Sequence, residues 1–406
     1  MLFAIFITVL VNFIGLTIVL PVFGPLIMNS AHGFFPNLVD PELRLKSLTW
    51  LVACYPFGQF IGAPILGSLS DIYGRKKVLS IGLLGSCFGF FLAGVAIAIK
   101  SPGLLIMGRI VSGLSAGTIA ICYSSIADFA VGKNRSTYFS FATLGIGIGW
   151  IVGPYIGGKL PAFSHSYGWI DTYSLPFFVG SLLSLMNLGW VAIAFKETLK
   201  NPSIKKITLL AGVKNILRAV KMEQLNKLFL SWFLFMFGWA AFMQLFPPFM
   251  IQSFSYDKAK LGVAFTMYGI SYALTQILFI RLLARFTEEK IMQTGLICLA
   301  VVMSLSIFAR SSAMMLTIIC ALAILTALII PNGISLASRL ARKNGQGEIL
   351  GINQSVQSLA WMMPPFIMSA IVSFGIISAF AVASMAIAAA WVIFAFIFRN
   401  EKVEEN

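Results

Sequence analysis

The chain alternates long apolar runs with short polar interruptions. A helix that spans a bilayer needs about 20 mostly apolar residues. Windows of that kind recur at residues 2–28, 47–69, 78–99, 104–129, 135–158, 173–195, 225–251, 259–282, 290–309, 313–337, 347–374 and 375–398. The pattern predicts an all-α polytopic membrane protein of twelve transmembrane helices. Composition excludes an ordinary soluble domain, since 59% of the 406 residues are hydrophobic and 11% charged; soluble domains carry about a quarter charged residues. The first run starts at Leu2 without a basic n-region and is too long for a signal-peptide core, so it is expected to be retained as a helix.

Charge sets the expected orientation. With the first helix leaving the cytoplasm, inner loops and tail hold roughly three times as many Lys and Arg as outer loops, which places both termini in the cytoplasm. The net charge of +15 then reflects topology and contact with anionic lipid headgroups. The bases are scattered over loops and form no continuous face, which argues against a nucleic-acid partner. Cys54, Cys87, Cys122, Cys298 and Cys320 all fall in expected spans without CxxC spacing. Neither disulfides nor a metal site is expected. The absence of a G-x-x-x-x-G-K-[ST] run argues against a nucleotide, so no cofactor is expected.

Three local patterns carry more. Gly67-Ser68-Leu69-Ser70-Asp71-Ile72-Tyr73-Gly74-Arg75-Lys76-Lys77 packs one acid and three bases into a turn between two apolar runs, so it belongs at a membrane face. Arg109, Gly113 and Gly117 follow at four-residue spacing. Gly145, Gly147, Gly149, Gly153, Pro154, Gly157 and Gly158 then crowd one expected helix. There is also an internal repeat: Ser125, Asp128, Lys133-Asn134 and Pro154 are matched 210 positions on by Ser335, Ser338, Lys343-Asn344 and Pro364. The first hinge has a worn counterpart at Leu283–Lys290, with Ala284 in place of the acid.

In order, these patterns resemble the helix two–three loop, the R-x-x-x-G-x-x-x-G signature of helix four and the G-P-x-x-G-G signature of helix five of the major facilitator superfamily. They are most similar to the drug:proton antiporter branch of tetracycline and multidrug efflux proteins. The resemblance implies two pseudo-symmetric six-helix bundles, residues 1–195 and 225–398, with a basic cytoplasmic linker at 196–224 and a cytoplasmic tail at 399–406. It also implies alternating access, a bacterial-type inner membrane, a monomer and no enzymatic activity. In the linker, Asn201-Pro202 can start a helix. Leu209, Leu210, Val213, Ile216, Leu217 and Val220 then oppose Lys214, Arg218 and Lys221, as in a helix lying on the inner leaflet. A solvated connector is the alternative.

Asp71 and Arg75 lie one helical turn apart and can pair, with Asp128 as a second carboxylate. The resemblance implies that Asp71, Arg75 and Asp128 form a cluster that locks the halves in an outward-facing state. Gly67, Gly74 and Lys76 belong to the same motif, with Lys76 and Lys77 facing lipid phosphates. The alternative is that the charges only set topology. Pro154 is expected to kink its helix, and Gly153 and Gly157 to admit a close neighbour. By resemblance, that element touches the opposite half and restricts ion leak; a purely structural kink is the alternative.

Arg109 falls inside an expected span, where a cation costs on the order of 2.5–3.5 kcal/mol and usually faces a cavity or a partner. Asp128 is roughly 28 Å along the same helix and cannot neutralise it. No Asp, Glu or His appears mid-span, and Asn12 occupies the helix-one position where tetracycline effluxers commonly carry an acid. Polar stripes complete the expected cavity. Tyr55 and Gln59 share helix two, and Trp239 and Gln244 share helix seven. Tyr268, Tyr272 and Gln276 recur on helix eight, Asn332 lies on helix ten, and Asn353, Gln357 and Trp361 recur on helix eleven. Each can instead be interhelical glue. Neutral amides and aromatics suit an amphiphilic organic substrate. The leading expectation is proton-coupled efflux of a drug-like or metabolite compound. The alternatives are carriage of an organic anion, such as a carboxylate or siderophore, with Arg109 as counter-ion, and a non-transporting membrane sensor.

Overall fold

A computed structural model describes residues 1–28, 34, 41–130, 135–163, 171–199, 211–222, 225–256, 258–282, 286–340, 346–372 and 375–404. His32, His165, Asn201-Pro202, Lys133-Asn134, Ala284 and Lys343-Asn344 lie outside the described residues. Among the described residues there are helices and no strand. In order they are α1 (Leu2–Thr17), α2 (Leu20–Met28), α3 (Pro41–Tyr73), α4 (Arg75–Ala98), α5 (Pro102–Ser115), α6 (Thr118–Phe129), α7 (Arg135–Phe163) and α8 (Leu175–Ala194). They continue as α9 (Ala211–Lys221), α10 (Asn226–Phe254), α11 (Lys258–Leu282), α12 (Glu288–Ser304), α13 (Ser312–Leu340), α14 (Gln346–Met362), α15 (Pro364–Val372) and α16 (Ile376–Glu404).

Among the described residues, eleven stretches are long and apolar enough to cross a membrane. The expected span at 347–374 is instead two helices, α14 and α15, parted at Met363. Pro364 and Pro365 have no N–H to continue the ladder, and a residue before proline is pushed out of the helical region. The first span likewise breaks between α1 and α2, just before Pro21, and the fourth between α5 and α6 at Ala116-Gly117. The hinge is tighter than expected. Helix continues on both sides of a single residue, Gly74, whose φ of +97° and ψ of 148° lie where side chains are strained.

Side chains face outward by hydropathy, as lipid demands. On α4, Ile81, Leu84, Phe88 and Phe91 are exposed, and α8 exposes Leu182, Leu185 and Met186. On α11, Val263, Met267, Ile270 and Leu274 face out while Tyr268, Tyr272 and Gln276 are buried. Two groups of helices result. In the first, α4 packs on α5 and α8, α1 on α7, and α3 on α5; in the second, α10 packs on α16, α12 on α13 and α16, and α11 on α13. The groups meet along two seams, where α14 crosses α3 and α11 crosses α7.

Glycine makes the tight crossings possible. A Cβ on Gly117 would lie 2.7 Å from Ala63 Cα, and one on Gly113 3.0 Å from the Tyr55 carbonyl carbon, so α5 rides directly on the α3 backbone. On α7, Gly145 and Gly149 abut Leu10 and Phe13, and Gly153 and Gly157 abut Thr17 and Pro21. The expected contact of this element with the opposite half is therefore made by other positions. Gly147 faces Tyr272 and Gly269 of α11, while Gly153 and Gly157 turn to α1 and α2 in their own half. Helix α7 runs through Pro154 without interruption.

Gly117→Ala should cost about 1–3 kcal/mol, because the obstructing atoms are backbone and cannot rotate away. Gly189→Ala, whose Cβ would meet nothing within 4 Å, should leave stability unchanged or raise it by up to about 1 kcal/mol. Thermal melting of the detergent-solubilised variants checks both.

Candidate functional site

The charged hinge assembles as the residue spacing predicts and then goes further. Arg75, 2% exposed, holds Asp71 Oδ1 at 2.6 Å through Nη1 and Asp128 Oδ2 at 3.1 Å through Nε. Its Nη1 also donates to Ser70 Oγ at 2.6 Å. Thr198, just beyond α8, donates its hydroxyl to Asp128 Oδ2 at 2.9 Å. A third carboxylate, Glu197, is invisible to motif reading. Its Oε1 accepts the backbone N–H of Arg75 at 2.9 Å and its Oε2 that of Lys76 at 3.1 Å. Gly74 offers no side chain to cap α4, so a carboxylate from a distant loop takes the orphan donors and the positive helix end. The carboxylate also excludes any side chain at the hinge, since a Cβ on Gly74 would lie 2.6 Å from Glu197 Oε2. Partial burial raises the carboxyl pKa, but the N–H groups of Leu199, Arg75, Lys76 and Thr198 outweigh it and hold it below its ordinary value.

The second half carries a cluster of opposite polarity. Glu288 and Glu289 open α12 and flank Arg339 in the last turn of α13, with Nη1 of Arg339 3.6 Å from Glu288 and Nη2 bonded to Glu289. Ser335 donates to Glu288 as well. The first half puts the base at the helix start and the acid at the helix end; the second half reverses this.

Midway between these clusters and the far end, Asn12, Phe13, Leu16, Tyr55, Pro56, Gln59, Ile119, Gln357 and Trp361 line a narrow cavity, with about 20 Å³ open to the centres of water molecules. That is room for about one water. The halves touch on both sides of it. Toward the charged end, Ser136 Oγ donates to Asn332 Oδ1 at 2.9 Å and Gln276 Nε2 donates to Thr143 Oγ1 at 3.0 Å. Toward the other end the rings of Trp50 and Phe366 meet at 4.9 Å.

Five of the sequence candidates, Asn12, Tyr55, Gln59, Gln357 and Trp361, line this cavity. Asn12 Nδ2 donates to the Thr8 carbonyl at 2.8 Å and to Thr118 Oγ1 at 3.2 Å. Arg109 sits behind Tyr55, 1% exposed, its guanidinium 4.8 Å from the Tyr55 ring centre and 5.5 Å from that of Phe23. Among the described residues its Nε and Nη1 have no hydrogen-bond partner, and no carboxylate is within ion-pair distance. Trp239 stands edge-on behind Trp361 at 5.1 Å.

None of the remaining candidates lines this cavity, and Tyr268, Gln276, Gln244 and Asn332 tie helices together. Tyr268 Oη bonds Thr326 Oγ1 at 3.1 Å. Gln276 Nε2 also donates to the Ala327 carbonyl at 3.0 Å, which Pro331, four residues on in a continuous α13, leaves without its helical donor. Gln244 Nε2 repeats the device at the Trp361 carbonyl, at 3.3 Å, released by Pro365. Asn332 is taken by the Leu328 carbonyl and Ser136. Tyr272 lies against Gly147, and Asn353 is buried on α14 away from the cavity lining. The signal for Gln276 and Gln244 was an amide facing, on a neighbouring helix, the carbonyl four residues before a proline, and it needs the helix pairing to be read.

Two six-helix groups, a charged hinge closed by Arg75 and a chamber on the seam between halves form an arrangement whose family is decided by sequence. The family model described as Major Facilitator Superfamily matches residues 5–225 and 228–406. The chain belongs to this superfamily. Members of the superfamily are transporters and not enzymes, and the protein is an integral membrane transporter. It is 30% identical over 289 residues to Multidrug resistance protein 1 of Bacillus subtilis (strain 168), covering 71% of this chain and 68% of that protein. It is 28% identical over 371 residues to the class C tetracycline resistance protein of Escherichia coli, covering 90% and 87%. In fold it is similar to the human organic anion transporter MFSD10 (TETRAN), with TM-score 0.82, 19% identity, and 97% and 98% coverage. It is also similar to the proton:xylose symporter XylE, with TM-score 0.76, 15% identity, and 96% and 94% coverage.

Because the Glu197 carboxyl is depressed on folding, its stabilising effect is complete above the unfolded value near 4.5 and is lost as pH falls through the lower folded value. Melting curves from pH 7 to pH 3 should show wild type losing stability in that acid window and Glu197→Gln losing less. A second outcome concerns the released carbonyl. Gln276→Ala should destabilise by about 1–3 kcal/mol in the wild-type background. It should destabilise by less when Pro331→Ala restores the N–H, a coupling readable in a double-mutant cycle of melting data.

Proposed function

We propose that this transporter exports a small amphiphilic organic compound in exchange for protons. Its charged end and both termini face the cytoplasm of a bacterial-type plasma membrane, and it acts as a monomer through alternating access. The observation that carries the reading is the cavity shared by both halves, with Asn12, Tyr55 and Gln59 on one side and Gln357 and Trp361 on the other. Neutral amides facing aromatic rings recognise shape and dipole rather than a fixed charge. The relatives named for multidrug and tetracycline resistance support the same direction of transport. Residues 1–195 and 225–398 act as the rocking halves, and the Asp71–Arg75–Asp128 cluster holds the charged end shut until substrate or proton is exchanged.

A second reading is favoured by one observation: Arg109 is buried with unpartnered N–H groups and no carboxylate among the described residues. A carboxylate substrate would supply the missing acceptor.

The test uses purified protein in liposomes with a trapped pH dye, challenged with drugs and organic anions with and without an imposed pH gradient. Gradient-dependent drug flux with counter-movement of protons is expected, falling at least tenfold in Arg109→Gln. Saturable anion flux indifferent to pH and lost in Arg109→Gln would replace the first reading with the second. Flux of neither kind, with Arg109→Gln inert, would leave only a non-transporting sensor.

A further inference from the structure

The linker helix α9 has two working faces. Its inward face, with Asn215 and Ala219 buried, packs on α3 from the first half and on α10 and α14 from the second. It therefore bridges the seam between the halves. Its position is fixed as well as covered. The Met222 N–H donates to the Arg218 carbonyl at 2.9 Å, the Asn226 N–H to Met222 at 2.7 Å, and Asn226 Nδ2 to the Val220 carbonyl at 3.4 Å, so α9 and α10 are joined by a hydrogen-bonded corner.

The outward face has a different chemistry. Lys214, Leu217, Arg218, Val220 and Lys221 are all exposed, Leu217 by 56% and Val220 by 66%, and the helix contains no acid. Lys214, Arg218 and Lys221 share one side of the helix, with Leu217 at its edge and Val220 further round. The bases therefore border an apolar strip and match a surface on which phosphates and acyl chains lie side by side. Water would favour the bases but leave Leu217 and Val220 without partners.

We infer that this face of α9 binds anionic phospholipid headgroups, with Lys214, Arg218 and Lys221 at the phosphates and Leu217 and Val220 among the uppermost acyl carbons. A lipid held there braces a helix that lies across both halves, and so favours closure of the charged end. The inference rests on the reading as a membrane carrier, but its readout is lipid retention, so it can fail while transport is confirmed, and the reverse.

The full-length protein is extracted from nanodiscs of equimolar phosphatidylcholine and phosphatidylglycerol, and retained lipid is counted by native mass spectrometry. Wild type should retain phosphatidylglycerol preferentially. Each neutralised base should lower that preference about fivefold, at about 1 kcal/mol per basic residue near an anionic surface. The variants are Lys214→Gln, Arg218→Gln and Lys221→Gln, singly and together. Lys214→Arg with Lys221→Arg should keep the preference, and Lys100→Gln with Lys159→Gln should not change it. Hydrogen exchange of the amides in residues 211–222 should slow in phosphatidylglycerol relative to phosphatidylcholine, and soluble glycerol phosphate at millimolar concentration should not reproduce that slowing. Equal retention by wild type and the triple variant overturns the lipid site. Slowing by glycerol phosphate alone overturns the bilayer as its source, and unchanged exchange overturns the brace.

Discussion

Two helix backbones can approach to contact only where no Cβ stands between them, and the arrangement of this transporter depends on that approach. Gly113 and Gly117 let α5 ride on α3, which brings Tyr55 over the guanidinium of Arg109 and turns Gln59 to the same cavity. The glycine ladder of α7 does the same for α1, where Thr17 Oγ1 donates across to the Gly149 carbonyl at 3.0 Å. Without hydrophobic driving force between helices in lipid, such packing and the hydrogen bonds it permits are what hold the bundle. The polar chemistry of the chamber is downstream of small residues that carry no chemistry themselves.

The same economy governs backbone groups. In a bilayer each freed carbonyl must find a donor inside the protein, and Pro331 and Pro365 each free one. Gln276 and Gln244 answer them. At the membrane face the problem is reversed, because α4 begins with free N–H groups and an unhelpful glycine cap. A carboxylate then arrives from beyond α8. The reversed polarity of the Glu288–Glu289–Arg339 cluster shows that the two halves keep the position of an ion pair while exchanging its signs.

Much of this was legible in the residues. Apolar run length located the helices, and the spacing of Asp71, Arg75 and Asp128 named the ion pairs of the hinge. Asn12, Tyr55, Gln59, Gln357 and Trp361 were readable because polar side chains are rare in spans and gather on faces. Glu197 was not readable, since its partners are backbone amides some 120 positions away and no side-chain pattern marks them. For Gln276, Gln244 and Asn332 the residues left two roles open, chamber lining or interhelical glue, and the structure shows bonds between helices at all three. An amide in a stripe looks the same whether it awaits a substrate or a proline on the next helix. The break at Met363 was written in Pro364-Pro365, but hydropathy smoothed it over. The facing of Gly153 and Gly157 toward α1 needed the rotation of α7 about its axis, which glycine spacing leaves open.

Gln276 links three helices from both halves with one amide nitrogen, bonded at once to Thr143 and to the Ala327 carbonyl. If the halves swing apart at this point, the amide stays with Ala327 in its own half and deserts Thr143 across the seam. The oxygen stripped of its helical donor keeps its cover, and it is the Thr143 hydroxyl that must find a new donor. Parting at this level therefore trades one bond across the seam for solvent while the proline-freed carbonyl stays dry.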